Sequence, residues 1–448
     1  MGLLEKLEKQ RLGQQDASQD ENRKEVIYVD IYADLKKRLH QEVIDEVNKN
    51  HIPRDGMENT EGIKKTIEEI MNGESIRMNR VDREKISEDL LNDIIGYGPL
   101  EVLLKDVNIS EIMVNGPNRV YIEKQGKIQL SDVVFKDDNH VMNIIDRIVS
   151  SVGRHIDESS PMVDARLQDG SRVNVIIPPL SLVGPVITIR KFSKIPITGE
   201  QLLNFGSMSR KMIAFLEACV KGKLNIIVSG GTGSGKTTTL NVLSSFIPAN
   251  ERIITIEDAA ELQLFQDHLI TLESRPSNLE GLGRVSIRDL VINALRMRPD
   301  RIIVGEVRST ETIDMLQAMN TGHDGSLTTI HANTPRDALS RIETMVLMSG
   351  VDLPLRAIRD QTTSAIDIII QQSRLRDGSR KVVNITEVNG MEGDVVVMQE
   401  LFAYETAGQL DSDGKFKGKF KSMGIRPRCV EKIIHNGVKV NDDWFNES

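Results

Sequence analysis

The sequence is poor in cysteine and in aromatic residues. Its 448 residues include two cysteines, Cys219 and Cys429. Two thiols can build neither a disulfide framework nor a four-ligand zinc site, so a reducing compartment is expected. Aromatics make up 4% of the chain, with one tryptophan, and the formal net charge is −9. A basic stretch studded with aromatics is missing, and the overall charge offers no attraction to a phosphate backbone. No direct nucleic-acid partner is expected. Long apolar runs are missing as well. The nearest candidate, Val173 to Ile189, is interrupted by Pro178, Pro179, Gly184 and Pro185, and a membrane helix needs roughly 20 apolar residues. The start has no apolar signal-peptide core, and Lys6 stands where an N-myristoylation motif wants Ser or Thr. A cytoplasmic protein without direct membrane insertion is expected, peripheral to a membrane only through partners.

What is present is a phosphate-binding loop. Leu224 to Ser229 read as an apolar strand, followed by Gly230-Gly231-Thr232-Gly233-Ser234-Gly235-Lys236-Thr237-Thr238. Behind it Leu240, Leu243, Phe246 and Ile247 recur at roughly helical spacing. This is G-x-x-x-x-G-K-T in its strand–loop–helix setting. Glycines let backbone N–H groups curl around phosphate oxygens, and a helix N-terminus adds its positive end. Lys236 is placed to reach the β- and γ-phosphates, and the Thr237 hydroxyl to ligate Mg²⁺. The expected ligands are ATP and Mg²⁺.

Length alone predicts about three domains. Residues 1–24 form a polar arm. Residues 25–84 carry helical periodicity (Ile31, Leu35, Leu39, Val43, Val47, then Ile63, Ile67, Ile70) and read as a small bundle, joined by a third helix with Ile86, Leu90, Leu91 and Ile94. Residues 85–192 read as an α+β N-terminal domain, short strands with one helix whose face is Val141, Ile144, Ile145, Ile148 and Val149. The Asp169-Gly170 turn signals a hairpin there. Residues 193–199 read as a linker. Residues 200–448 are expected to form an α/β domain. Its buried strands, Ile226–Ser229, Arg252–Glu257, Arg301–Gly305, Ser326–His331 and Ala365–Gln371, alternate with helices and imply a mostly parallel sheet covered on both faces. Beyond Arg374 the pattern becomes hairpin-like and predicts a β-rich C-terminal appendage.

Hydrolysis needs an acid near Mg²⁺ and the attacking water. The strand Ile302-Ile303-Val304 runs into Gly305-Glu306, the Walker B position, with Gly305 where the first acid usually stands. Glu306 is expected to reach Mg²⁺ through water or to orient the nucleophile. Glu257, in Glu257-Asp258 with Glu261, ends the preceding strand and is a second candidate for water activation. The residues do not divide the role between them. His323 and His331 bracket a short strand at a spacing no zinc helix uses, and a histidine at the mouth of the sheet suits a γ-phosphate sensor. Arginines gather in two places: Arg166, Arg172 and Arg190, and Arg296, Arg298, Arg301 and Arg308.

Taken together, these blocks resemble the bacterial secretion ATPase superfamily of type II and type IV secretion and of pili. Thr255 to Glu261 resembles its Asp box, Ile302 to Glu306 its unusual Walker B, and Thr321-Gly322-His323 through Asn333 its His box. Asp164 to Leu167, Asp169 to Asn174, Thr188 to Phe192 and Gly424 to Pro427 are similar to the CpaF type, the assembly ATPases of Tad/Flp pili. The four-cysteine zinc insertion of the type II branch is missing. The resemblance implies a RecA-like motor domain, an N-terminal domain swung on a linker, a homo-hexameric ring and docking to integral membrane platform proteins. It implies pilus assembly, with retraction as a further output, or in its other branches transport of protein or DNA–protein substrates. It also implies that Arg172 and Arg190 complete the active site from the first domain, with Arg166 a weaker third.

Overall fold

A computed structural model describes residues 32–49, 57–73, 79–124, 126–192, 196–275, 277, 282–410 and 416–446. The expected arm at 1–24 lies outside these, as do residues 193–195 of the expected linker. The chain divides into two units, with the boundary between Lys191 and Phe192.

In the first unit, helices Ala33–Lys49, Met57–Gly73 and Arg80–Ile95 close around Leu39, Val43, Ile63, Ile67, Ile86 and Leu90. The periodic apolar faces read from the sequence meet here. The third helix is capped by Asn79, whose side chain accepts from the Asp82 N–H. It runs through residue 84, so a domain edge drawn at 84/85 falls inside an element.

The same unit holds an antiparallel sheet. Its strands are β1 (Ile109–Asn115), β2 (Val120–Lys124), β3 (Lys127–Leu130), β4 (Met162–Arg166), β5 (Arg172–Ile176) and β6 (Val186–Arg190), in the order β3-β2-β1-β6-β5-β4. Helix Asp138–Ser151 buries the predicted face Val141, Ile144, Ile145, Ile148 and Val149. Gly170, at φ +88°, turns the chain from β4 into β5. Asp93, at the end of the third helix, binds Lys136 (2.8 Å) and faces His140 (3.5 Å), tying the helices to this sheet domain.

The second unit is built on one sheet. Its strands are β7 (Ile226–Gly230), β8 (Ile253–Glu257), β9 (Leu269–Glu273), β10 (Arg301–Val304), β11 (Leu327–Ile330), β12 (Ile368–Arg374), β13 (Arg380–Glu392), β14 (Val395–Leu410) and β15 (Phe416–Ser422). Among the described residues the order is β15-β14-β13-β12-β7-β11-β10-β8-β9. From β12 to β9 the pairing is parallel, and β11 sits between the P-loop strand β7 and β10. This is a RecA-like α/β core. Strands β7, β8, β10 and β11 are buried along their whole length, as a sheet covered on both faces requires.

Three expectations change here. Strand β12 begins at Ile368, because Ala365 still belongs to helix Leu355–Ala365 and the Ile366 N–H bonds back to the Thr362 carbonyl. Strand β9 has a half-exposed edge pattern that gave no clear sequence signal. The C-terminal stretch is not an appendage: β13 to β15 extend the same sheet antiparallel beside β12. Helix Val430–His435 and Phe445 then return to the core, where Phe445 meets Phe215 edge-on at 5.4 Å. Among the described residues, no helix is long and apolar enough to cross a membrane.

Candidate active site

Strand β7 delivers the P-loop to the carboxyl end of the sheet, where ligands of open α/β folds bind. Gly233 (φ +69°) and Gly235 (φ +96°) take left-handed conformations that suit only glycine. Gly235 then starts helix Lys236–Ser245 with no side-chain cap, leaving the first-turn N–H groups to a ligand. The Ser234 hydroxyl closes the loop onto the Gly231 carbonyl (2.9 Å). Thr237 and Thr238 lie half-buried on the first turn, and Gly231 and Thr232 are exposed.

Lys236 is nearly buried at 7% exposure. Its Nζ donates to the Gly231 carbonyl (3.0 Å) and stands 3.3 Å from His331 Nδ1. His331 follows β11, level with the end of β7. Burial lowers its pKa, reinforced by Lys236 and Arg308 and opposed by Glu306, so the ring is neutral at pH 7.

Glu306 lies just beyond β10. His331 Nε2 is 3.0 Å from its Oε1, and Arg308 donates to its Oε2 at 2.7 Å. Among the described residues, Oε1 is buried without a hydrogen-bond partner. The Glu306 turn is pinned to β11, since Thr329 donates its hydroxyl to the Gly305 carbonyl (2.8 Å) and Val307 its N–H to the Thr329 carbonyl (3.0 Å).

Glu257 ends β8 beside this turn. Its carboxyl accepts from the Glu261 N–H (2.9 Å) and the Leu262 N–H (3.2 Å). Burial pushes its pKa up to about 7 against those two bonds. A Cβ on Gly305 would lie 2.7 Å from Glu257 Cγ. The Walker B strand has glycine where an acid is usual because Glu257 already fills that space from the neighbouring strand.

The two histidines read from the sequence part company. His323 precedes β11 and His331 follows it, so roughly 13 Å of strand separates the two ends. His323 therefore sits at the amino edge of the sheet, where its carbonyl accepts from the Ser326 hydroxyl, and it does not join the phosphate site. Arg301 is also at that edge. It is fully buried and bound to Glu251 through Nε (2.5 Å) and Nη2 (3.2 Å), a structural pair.

In the first unit Arg172 and Arg190 are direct cross-strand partners, and Arg166 pairs with Arg172 on the other side. Three arginines thus form one row across β4, β5 and β6. Its end abuts Glu111 of β1, 3.8 Å from Arg190. Sequence reasoning missed Gln371, Gln372 and Arg380, which touch the phosphate loops from β12 and β13. They belong to no motif, and only an apolar strand ending in two amides hinted at them.

A family model described as type II/IV secretion system protein matches residues 94–415. The chain belongs to this family. The N-terminal-domain model of type II secretion system protein E matches residues 32–95, the three-helix segment. A putative conjugal transfer protein of Mycobacterium tuberculosis is 34% identical over 68% of this chain and 88% of its own length. VirB11 of the type IV secretion system of Bartonella henselae is 33% identical over 64% and 90%. Solved structures similar to this type II/IV secretion family member include the VirB11 ATPase of Brucella suis (29% identity, TM-score 0.36, 64% and 91% covered). The pilus retraction motor PilT with ADP is another (23%, 0.49, 67% and 82%).

Proposed function

We propose that this chain is an ATP-hydrolysing motor that works as a homo-hexamer on the cytoplasmic side of a membrane. It docks on integral membrane platform proteins and drives assembly of a Tad/Flp-type pilus, with retraction as a further output. The observation that carries the ATPase part of this reading is the gathering of Lys236, His331 and Glu306, with Glu257 beside the Glu306 turn, at the carboxyl ends of four parallel strands.

The residues divide the work by environment. P-loop N–H groups and Lys236 hold the phosphates. Thr237 directly and Glu306 through water suit Mg²⁺, since Glu306 Oε1 is a buried oxygen without a hydrogen-bond partner among the described residues. When bound, Mg²⁺ neutralises charge on the β- and γ-phosphate oxygens. Arg308 fixes Glu306 through Oε2 and leaves Oε1 to orient the attacking water. Glu257 spends its lone pairs on backbone N–H groups, so its role is to buttress the Gly305 turn and, with its pKa near neutrality, to take up a proton. Arg172 and Arg190, which stand opposite each other on β5 and β6, are our candidates for the remaining positive charge that phosphoryl transfer requires.

A second reading has a specific support: relatives bear the names of a putative conjugal transfer protein and of a type IV secretion system protein, which favours transport of protein or DNA–protein substrates. The test is Lys236→Ala in the host, beside an ATPase assay of the purified chain. Loss of surface pili with transfer intact supports the pilus reading, and loss of transfer with pili intact selects the second. A wild-type chain that hydrolyses no ATP sinks both.

A further inference from the structure

Strand β12 reaches the active site as Gln371-Gln372, two amides that the motifs above leave without a role. They are 4% and 2% exposed. They stand in parallel register with Ser229 and Gly230 of β7, and the pairing of β12 with β13 shifts between them. Such a bulge re-aims side chains and is common beside active sites.

Gln372 turns to the P-loop. Its Oε1 accepts from the Thr239 hydroxyl at 2.8 Å, on the helix behind the loop. Its carbonyl fills the space where Gly230 would carry a Cβ. Its Nε2 lies 3.0 Å from where a Cβ on Gly235 would begin, and Arg380 Cδ lies 3.2 Å from the same point. Arg380 Nε in turn donates to the Gly233 carbonyl at 2.9 Å. Gln371 turns to the other phosphate-facing loop. Its Nε2 donates to the carbonyls of Ala332 (3.1 Å) and Asn333 (3.0 Å), the two residues after His331. Its Oε1 is buried without a hydrogen-bond partner among the described residues. An apolar side chain would fill the same volume without burying an unsatisfied oxygen. The amide therefore serves for its donor.

We propose that Gln371 and Gln372 are positioning residues that set the spacing between the phosphate cradle and the His331 loop from one rigid strand. Gln372 holds the P-loop arc, and Gln371 holds the main chain that places His331 beside Lys236 and Glu306. Neither touches the reacting atoms. The inference rests on the ATPase reading above and assigns separate duties within that site.

The experiment uses Gln371→Met and Gln372→Met in the full-length chain, each near the native volume and uncharged. Affinity is read with a fluorescent ADP analogue, and chemistry with a single turnover of prebound ATP. Gln372→Met should weaken nucleotide affinity about tenfold, the scale of one lost buried hydrogen bond, with little change in the bound-state rate. Gln371→Met should keep affinity within about twofold and slow the bound-state rate about tenfold or more, as a misplaced catalytic loop does. Thr239→Val should reproduce the Gln372 effect, and the double variant should be no worse than either single one. Rates are counted per bound nucleotide, so a partly unfolded preparation does not imitate the split. Wild-type values in both variants, or equal losses of affinity and rate in both, overturn the inference while the ATPase reading stands. A wild-type chain that neither binds nor turns over ATP removes the ATPase reading and this inference with it.

Discussion

Glu257 occupies the place that a side chain on Gly305 would need, its Cγ 2.7 Å from that missing Cβ. Two strands thus share one carboxylate position, and the acid comes from β8 instead of β10. Gly305→Asp, which restores the more usual Walker B acid, should therefore damage the enzyme. The new Cβ meets a buried side chain hydrogen-bonded to two backbone N–H groups, and overpacking of this kind costs about 1–3 kcal/mol. Turnover should fall roughly a hundredfold as the Glu306 turn is displaced. Wild-type turnover and melting temperature in Gly305→Asp would show that Glu257 does not restrict the position.

The raised pKa of Glu257 makes stability depend on pH. Below its unfolded value near 4.5 the carboxyl is protonated in both states and carries no penalty. As pH rises through about 7 the folded state must bury the charge, and stability is lost. Glu257→Gln lacks this dependence, so its stability relative to wild type should climb between pH 5 and pH 8 by on the order of 2–3 kcal/mol. Trp444, the one tryptophan of the chain, lies in the second unit beside its core and reports the unfolding by fluorescence. A pH-independent difference in urea midpoint would refute the shift.

Lys236 and Glu306 should fail in different ways. Lys236→Ala removes a charge aimed at the phosphates and should weaken nucleotide binding as well as abolish turnover. Glu306→Gln keeps size and the Arg308 contact while losing the carboxylate charge. It should bind ATP normally and turn over at least a hundredfold more slowly. Near-normal turnover in Glu306→Gln moves water activation to Glu257.

The arginine row offers a dissociation of stability from activity. Arg190 is exposed, and its contact with Glu111 is a surface pair of the kind that adds little stability. Arg190→Ala should therefore leave the fold about as stable as wild type. Arg172→Ala and Arg190→Ala should both keep nucleotide affinity and reduce turnover roughly a hundredfold. An alanine variant that loses stability and keeps its rate would assign the row a structural role.

What the sequence determined by itself was local. The glycine spacing of the P-loop, the apolar strand before it, the acid after Val304 and the apolar helix faces follow from torsional freedom and from periods of two and 3.6 residues. Such patterns are complete within a dozen residues, so they were legible without a fold. The tertiary structure decided what depends on strand order. Because β11 lies between β7 and β10, His331 meets Lys236 and Glu306 while His323 is left at the opposite edge. Because β8 lies beside β10, Glu257 excludes a side chain at Gly305. Because β12 flanks β7 on its other side, Gln372 meets Thr239 across 133 positions of chain. The antiparallel register of β4, β5 and β6 turned three scattered arginines into a row. Apart from the β4–β5 hairpin, whose Asp169-Gly170 turn is local, these contacts join residues far apart in the chain, and no local preference encodes which strand lies next to which.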